Sequence, residues 1–384
     1  MFVMDDVCHL PNFMTGFTMF STMNVTNSSE IGLSPAQKPY DVIIAGAGII
    51  GLSLALELRR SGAHVTIFDS GEPGHGSTHA AAGMLAARDP ETPEVLLPLT
   101  TASAELFPEF VRSLDGSGVV IDFQRHGALC FHGSDEVPFG IRLNPAEIAH
   151  IEPSLQANGR TVFLLVEDAV EPRSLSAALL ANCKDLGVEI HPFEPVREIE
   201  SKDSRITAVI TALRRFPSGK FVNCAGAWST QIHGANIPTH PIKGHMFSLQ
   251  PTHRFGLRHV IRAPEIYMVP RADGSIAIGA TVEDVGFEKT IDHSVIERLW
   301  NDASKLIPVL REAKIREQWI GFRPCTPDKL PILGAYGPQG CFVATGHYRN
   351  GVLLAPVTAK IMSAIVQNKP SPMDISSFSA TRFK

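Results

Sequence analysis

The 384-residue sequence lacks several features that define whole classes of protein. No apolar stretch reaches the roughly 18 residues that a membrane-spanning helix requires. Lysine and arginine number 34 against 39 acidic residues, so the chain has a formal charge of −5 and no basic footprint for nucleic acid. The six cysteines form no C-x-x-C pair and no Cys/His cluster of zinc spacing, and their usage fits a reducing compartment. We therefore expect a soluble, cytoplasmic protein with no membrane span, no nucleic-acid partner and no metal.

The composition favours a folded chain with an appended N-terminal segment. With 44% apolar residues, the chain can bury a large core in one or two domains. Residues 1–38 differ, because they carry five methionines and no lysine or arginine before Lys38. Secretory signals and mitochondrial presequences both need basic residues, so neither is predicted here. We interpret residues 1–38 as a disordered N-terminal extension outside the fold, and the alternative is an over-extended start codon.

A strand–helix–strand unit is the first strong pattern in the chain. Val42–Ala45 is a short β-branched run that is typical of a buried parallel strand. The sequence GAGIIG follows at residues 46–51, and an apolar helical pattern then continues to Gly62. A second strand is predicted over His64–Asp69. Together these segments predict a complete βαβ unit.

The glycines and the acid of this unit predict dinucleotide binding. Gly46 permits a tight turn, Gly48 lets the backbone approach a pyrophosphate, and Gly51 lets helix and strand pack closely. The helix N-terminus then offers free N–H groups and a positive dipole end to phosphate. Asp69 ends the second strand, where an acid reaches the ribose hydroxyls and disfavours NADP. We assign Gly46, Gly48, Ile50, Gly51 and Asp69 to the cofactor, but this unit alone does not separate NAD from FAD.

The next segment, GHGSTHAAAGM at residues 74–84, favours FAD. In an NAD enzyme the second strand usually leads into another βα unit, which is not the pattern here. Small side chains let this backbone lie flat against a bulky ligand, and the hydroxyls of Ser77 and Thr78 can donate to phosphate. The alternative is a surface loop, which the three consecutive alanines disfavour. The cofactor residues predicted here are Ser77, Thr78, Ala81, Ala82, Gly83 and Met84.

Further elements follow from periodicity and breakers. Helices are predicted over about 95–114, 172–186 and 291–310, and antiparallel strands between about 238 and 280. A strand over Cys341–Thr345 precedes a glycine-bounded loop and a last helix that ends at Val366.

Four ordered motifs give the chain a family resemblance. They are GAGIIG with Asp69, GSTHAAAGMLA, YMVPRADGSIAIGATVEDVGFEK from Tyr267, and the pair WIGFRPCTPDKLPILG from Trp319 and GHYRNGVLLAP from Gly346. From about Pro39 to Val366 the sequence resembles the FAD-dependent D-amino-acid oxidase superfamily, and within it the glycine oxidase (ThiO) type. The resemblance is thin between Leu96 and His150.

The resemblance implies an α/β fold (α+β overall) of two domains. A Rossmann-like FAD-binding domain would combine residues 39–95, 151–235 and 319–370. A second, antiparallel-sheet substrate domain would combine residues 96–150 and 236–318. The resemblance also places additional residues at the cofactor: Ala225, Gly226, Trp228, His347, Arg349, Asn350, Gly351 and Val352.

Three residues match the catalytic positions of the family. Arg323, in FRPCTPD, matches the arginine that binds the substrate carboxylate, and a planar guanidinium suits that bidentate contact. Tyr267 matches a tyrosine that donates to the same carboxylate, although a core tyrosine is the alternative. Arg349 matches an arginine near flavin and substrate, whereas Arg271 is interpreted as structural.

The implied reaction is oxidative deamination of glycine or a small amino acid or secondary amine, such as sarcosine or a D-amino acid. A hydride passes from Cα to flavin N5, and O2 is the expected acceptor, giving H2O2. The glycine imine could supply thiamine thiazole synthesis, and we expect a homo-oligomer. The alternatives are a D-amino-acid dehydrogenase that uses a quinone or other carrier, and a non-catalytic dinucleotide-binding subunit. His245, Glu265 and Val282 depart from the family pattern and bear on which amine is accepted.

Overall fold

The computed structural model describes residues 40–383 except 134–136, 138, 235–236 and 252–254, so the extension predicted over residues 1–38 lies outside the described residues. The helices are α1 Ile49–Arg60, α2 Ser77–Ala80, α3 Leu97–Arg112, α4 Pro145–Ile151, α5 Pro172–Asp185, α6 His293–Leu306 and α7 Gly351–Val366. The strands are β1 Val42–Ala45, β2 Val65–Phe68, β3 Met84–Leu85, β4 Phe123–Gln124, β5 Ala128–Phe131, β6 Ile141–Leu143, β7 Val162–Leu165, β8 Asp168–Val170, β9 Glu189–His191, β10 Val196–Lys202, β11 Arg205–Thr211, β12 Arg215–Pro217, β13 Phe221–Asn223, β14 His240–Gln250, β15 Val260–Ala263, β16 Ile266–Pro270, β17 Ile276–Gly279, β18 Lys314–Cys325, β19 Ile332–Ala335 and β20 Cys341–Thr345.

A six-stranded sheet in the order β19-β20-β13-β1-β2-β9 forms the first layer. Its strands are parallel except β19, which pairs antiparallel with β20. Strand β1 is buried on both faces, which is why its sequence is continuously apolar rather than alternating. Ile44 packs in one core with the helices α1, α3, α5 and α7, whereas Ile43 packs with residues of the small sheet β10-β11-β12. The predicted α/β, Rossmann-like fold is confirmed.

A second, eight-stranded sheet in the order β18-β14-β17-β16-β15-β5-β7-β6 is almost entirely antiparallel. Alternation along β14 sends Phe247 and Leu249 into a core with helix α6. Met246 projects from the opposite face, into a cluster with Cys130 and Val269. One face of this sheet is therefore packed by a helix, and the other is available to build a site.

Three elements differ from the predicted domain ranges. Helix α3 lies within residues 96–150, which the sequence assigns to the substrate domain, but it packs with α1 and α7 in the core of the six-stranded sheet. Strand β7 pairs with β5, and Trp319–Cys325 of β18 pairs with β14, so both belong to the eight-stranded sheet. The sequence had placed residues 151–235 and 319–370 with the FAD-binding domain. Hydrogen-bond partners, rather than position between motifs, determine which sheet a strand joins. The division into an FAD-binding and a substrate domain otherwise stays a prediction.

Within the residues described, no helix combines the length and apolarity needed to cross a membrane.

Candidate active site

A cavity of about 1050 Å³ is lined by residues of both large sheets. Of the predicted site residues, Gly51 alone is absent from its lining, because this glycine packs inside the βαβ unit. The predicted residues that line the cavity are Gly46, Gly48, Ile50, Asp69, Ser77, Thr78, Ala81, Ala82, Gly83, Met84, Ala225, Gly226, Trp228, Tyr267, Arg323, His347, Arg349, Asn350, Gly351 and Val352. The chain thus brings together residues from segments more than 250 positions apart in one space.

The glycine-rich turn leaves open backbone on the cavity side. Gly46 has φ +102°, which a residue with a Cβ rarely adopts. A Cβ on Gly51 would lie 1.9 Å from the carbonyl oxygen of Gly46, so helix and strand can approach only because this residue is glycine. A Cβ on Gly48 would meet only the Thr78 hydroxyl, at 3.4 Å, which is an ordinary contact. The surrounding protein therefore does not require glycine at position 48, and a closely approaching ligand would.

The Asp69 carboxylate holds the turn together. Its Oδ2 accepts a hydrogen bond from Ala47 N at 2.6 Å, and its Oδ1 accepts one from Gly71 N at 2.8 Å. Burial raises the pKa of Asp69, and these backbone hydrogen bonds oppose that shift. Asp69 lines the cavity where the sequence predicts a ribose contact.

The hydroxyls of Ser77 and Thr78 both have protein partners, and the partner of Ser77 differs from the phosphate that the sequence predicts. Ser77 Oγ donates to the carbonyl of Phe322 and so ties α2 to β18. Thr78 Oγ1 accepts a hydrogen bond from Ile49 N at 2.9 Å, in the first turn of α1. The proton of Ser77 is therefore directed at a backbone carbonyl rather than at phosphate, and Thr78 supplies the cap that glycine at position 48 lacks.

The segment from Ala81 to Met84 is fixed by contacts with strand β8 and with Arg271. Gly83 has φ +80°, and a Cβ there would lie 1.8 Å from the carbonyl oxygen of Val170. Arg271 donates from Nη2 to the carbonyl of Ala82 at 2.7 Å. Arg271 thus has the structural contact that was expected of it, and the small side chains of this segment face the cavity.

The loop between β20 and α7 contributes a neutral histidine and an arginine. His347 is 3% exposed, and its Nε2 lies 3.1 Å from Thr358 Oγ1. Burial lowers the pKa of His347 to about 3, so this imidazole is neutral at ordinary pH. Arg349 Nη1 donates to Glu91 at 2.9 Å, and both residues line the cavity.

Arg323 and Tyr267 lie together on the other wall. Arg323 Nη1 donates to the carbonyl of Thr281 at 3.0 Å, and a Cβ on Gly244 would lie 2.5 Å from that nitrogen. Burial raises the pKa of Tyr267, and the neighbouring charge of Arg323 opposes the shift. The Tyr267 hydroxyl contacts Met246 Sδ at 3.5 Å. The predicted carboxylate-binding pair is therefore assembled, and its guanidinium is oriented by backbone carbonyls.

Strand register explains which side chains form the cavity wall. Residues directly opposite each other on neighbouring strands project from the same face of a sheet. The register of the eight-stranded sheet sets one row across it: Cys130, Arg262, Tyr267, Gly279, Met246 and Trp319. Tyr267 thus has an arginine on one side and a glycine on the other.

Comparison with known proteins agrees with this architecture. The sequence pattern of the family described as FAD-dependent oxidoreductase matches residues 41–365. The chain belongs to this family. The predicted superfamily and its cofactor, FAD, are thereby confirmed.

Two relatives frame the similarity of this FAD-dependent oxidoreductase. The bifunctional protein ThiO/ThiG of Trichormus variabilis is 35% identical over 363 residues, which are 90% of this chain and 55% of that protein. The chain thus spans about half the length of the bifunctional relatives it matches. The glycine oxidase of Geobacillus kaustophilus is 29% identical over 366 residues, which are 89% of this chain and 97% of that enzyme. The crystal structure of that enzyme superposes with a TM-score of 0.84 at 28% identity, covering 90% of this chain and 99% of the other.

The residues present fit the cofactor of the family. The cavity is at the upper end of the roughly 300–1,000 Å³ usual for small-molecule sites, as a dinucleotide requires. Gly48 leaves a space that a side chain would fill, beside the N-terminus of α1, and such a helix end favours phosphate. Gly351 places the N-terminus of α7 at the same cavity. We expect these two helix ends, with Asp69 and Gly83, to hold FAD.

Sequence reasoning missed one cluster in the site. Arg262, on β15, donates from Nη1 to both carboxylate oxygens of Glu167 at 2.9 and 3.0 Å, and from Nη2 to Asp89. Burial alone would lower the pKa of Arg262, but the charges of Glu167 and Asp89 raise it. A signal was available, because a hairpin turning at Pro264 places Arg262 opposite Tyr267.

Proposed function

We propose that this oxidoreductase carries out the oxidative deamination of glycine or another small amino acid or secondary amine, such as sarcosine or a small D-amino acid. The observation that supports the proposal is the pairing of Arg323 with Tyr267 inside the cavity that fits FAD. The match to a relative named glycine oxidase covers nearly the whole length of that relative.

Arg323 would bind the carboxylate of the substrate. Its Nη1 is committed to the carbonyl of Thr281, so the guanidinium is fixed before substrate arrives. A planar guanidinium retains further N–H donors in a fork that matches a carboxylate. The hydroxyl of Tyr267 would donate to the same carboxylate. The two residues would thus orient the Cα of a small amino acid toward the flavin side of the cavity.

The chain would supply orientation and electrostatics rather than a base. When bound, the flavin supplies the acceptor for the two electrons and the hydrogen of the Cα–H bond. His347, the buried histidine beside the α7 terminus, has a pKa of about 3 and carries no charge that could oppose binding of a cationic amine. If the amine binds in its neutral form, no side chain needs to remove a proton.

For the electron acceptor we propose O2, which would give H2O2, with the imine hydrolysed to an oxo acid and ammonia or passed on. Curated relatives named ThiO/ThiG support the proposal that glycine imine serves thiamine thiazole synthesis. A dehydrogenase that delivers electrons to a quinone is the alternative. Peroxide formation under air, compared with dye reduction without oxygen, separates the two.

The deciding experiment is anaerobic bleaching of the bound flavin by glycine, sarcosine and D-alanine, in the wild type and in Arg323→Ala. We expect Arg323→Ala to keep FAD and to lose about two to four orders of magnitude in kcat/KM, because removal of one partner of a buried charged pair costs about 3–5 kcal/mol. Arg316→Ala, which removes an exposed arginine from the same strand, is the matched control and should bleach as the wild type does. Unchanged kinetics in Arg323→Ala would remove the assignment.

A further inference from the structure

Arg262 is a fixed cation in the wall of the substrate compartment. It faces Tyr267 in the antiparallel register of β15 and β16, so both side chains project from the same face of the sheet. The Arg262 side chain is 12% exposed, and Glu167, which takes both hydrogen bonds from Nη1, is 6% exposed. The pair with Glu167 therefore holds Arg262 in place without any third group.

Asp89 reaches the same guanidinium from a different part of the chain. It lies in the segment between β3 and α3, and one oxygen of its carboxylate accepts from Arg262 Nη2. Its other oxygen accepts from Glu91 N at 2.8 Å, which fixes the local turn. Both Asp89 and Arg262 line the cavity. A carboxylate of the protein thus occupies one nitrogen of a cavity-lining arginine that lies opposite Tyr267 in the sheet.

We propose that Asp89 and Arg262 determine substrate specificity: the Asp89 carboxylate occupies the position on Arg262 that the second carboxylate of an acidic amino acid would take. The inference rests on the proposed function, in which Arg323 binds the first carboxylate. The second carboxylate of an acidic substrate would have to displace Asp89 from Arg262. Otherwise it would lie beside the carboxylates of Asp89 and Glu167, whose two negative charges exceed the single charge of the guanidinium. Acidic substrates are therefore excluded.

The same cluster disfavours large apolar side chains. A substrate whose side chain extended along the row from Tyr267 toward Arg262 would remove water from the partly exposed Asp89 carboxylate without replacing its hydrogen bonds, which is costly. Small neutral side chains avoid both penalties. The cluster of Arg262, Glu167 and Asp89 therefore favours glycine-sized amines through its charge as well as through the space it leaves.

The test replaces Asp89 and compares D-aspartate with D-alanine. In Asp89→Ala, Arg262 Nη2 loses its partner inside the cavity and becomes available to a substrate carboxylate. We expect the ratio of kcat/KM for D-aspartate to that for D-alanine to rise by about tenfold or more, since a buried donor without a partner discriminates strongly between ligands. Glu94→Ala removes an exposed carboxylate from the same segment and should leave the ratio unchanged. Adding Arg262→Met to Asp89→Ala should abolish the gain.

A binding measurement separates this inference from the proposed function. Succinate and acetate carry no amine, so neither can be oxidised, and the shift of the flavin absorption spectrum reports their binding. Asp89→Ala should tighten succinate relative to acetate by about tenfold. If no amine bleaches the wild type, the proposed function fails, while the succinate titration still decides the role of Asp89. If Asp89→Ala does not retain FAD, Asp89→Ser is used, because a serine hydroxyl can still accept from Glu91 N but is too short to occupy Arg262. Unchanged ratios in the variant that retains FAD overturn the inference.

Discussion

Gly48 and Gly51 lie in the same turn of the chain but are glycine for different physical reasons. A Cβ on Gly51 would overlap the carbonyl oxygen of Gly46, whereas a Cβ on Gly48 would make one ordinary contact. Gly51→Ala should therefore destabilise the protein with or without FAD. Gly48→Ala should unfold like the wild type when FAD is absent, because its φ of −75° suits alanine, but should bind FAD at least about tenfold more weakly.

The measurements are thermal unfolding of the FAD-free proteins and titration of each with FAD. The two variants serve as controls for each other, since they add the same methyl group three residues apart. A Gly48→Ala protein that binds FAD as the wild type does would show that the pyrophosphate does not approach this backbone.

The connection between β17 and α6 is the element that orients Arg323. The Thr281 carbonyl of this connection accepts from the guanidinium. His245 on β14 forms hydrogen bonds with three residues of the connection, Thr281, Glu283 and Asp292. His245 Nε2 accepts from Asp292 N at 3.0 Å, so its Nδ1 carries the proton and donates to Glu283 at 2.9 Å. His245 is 1% exposed, and its backbone N donates to Thr281 Oγ1 at 2.9 Å.

We predict that His245→Ala raises KM for the amino acid by about tenfold and affects kcat less, because Asp292 N and the Glu283 carboxylate lose their hydrogen-bond partner and the position of Arg323 relaxes. His245→Gln should recover much of the affinity, since an amide can both donate and accept. His293→Ala, at an exposed histidine of the same region, is the control. Equal losses in kcat and KM, together with loss of FAD, would indicate general damage rather than positioning.

Local patterns predicted the elements, but not the partners that close the site. Strand β20 was predicted at its observed bounds, and α5 was predicted to within one residue, because breakers and caps act over a few residues. Arg262 pairs with residues 95 and 173 positions earlier in the chain. Those contacts depend on the strand order β16-β15-β5-β7, which hydrophobic periodicity does not encode. Arg323 was found only through its motif, since spacing alone does not distinguish it from a surface arginine.

At the scale of the whole molecule, folding buries the His347 imidazole, and the buried imidazole is uncharged. Its pKa falls from 6.5 in an exposed chain to about 3 in the folded protein, and burial is the cause. Between these values the unfolded chain binds a proton that the folded molecule does not, so stability decreases as the pH falls through 6.5. The resulting loss in the free energy of unfolding approaches about 1.4 kcal/mol per pH unit and is about 2 kcal/mol at pH 5, relative to neutral pH.

The variant His347→Gln tests this argument, because glutamine can still form a hydrogen bond with Thr358 but cannot titrate. Urea unfolding of both proteins from pH 8 to pH 4 should therefore show curves that diverge below pH 6.5, with the wild type losing free energy of unfolding faster. Parallel curves would mean that water reaches this imidazole in the folded molecule and that it takes up a proton there.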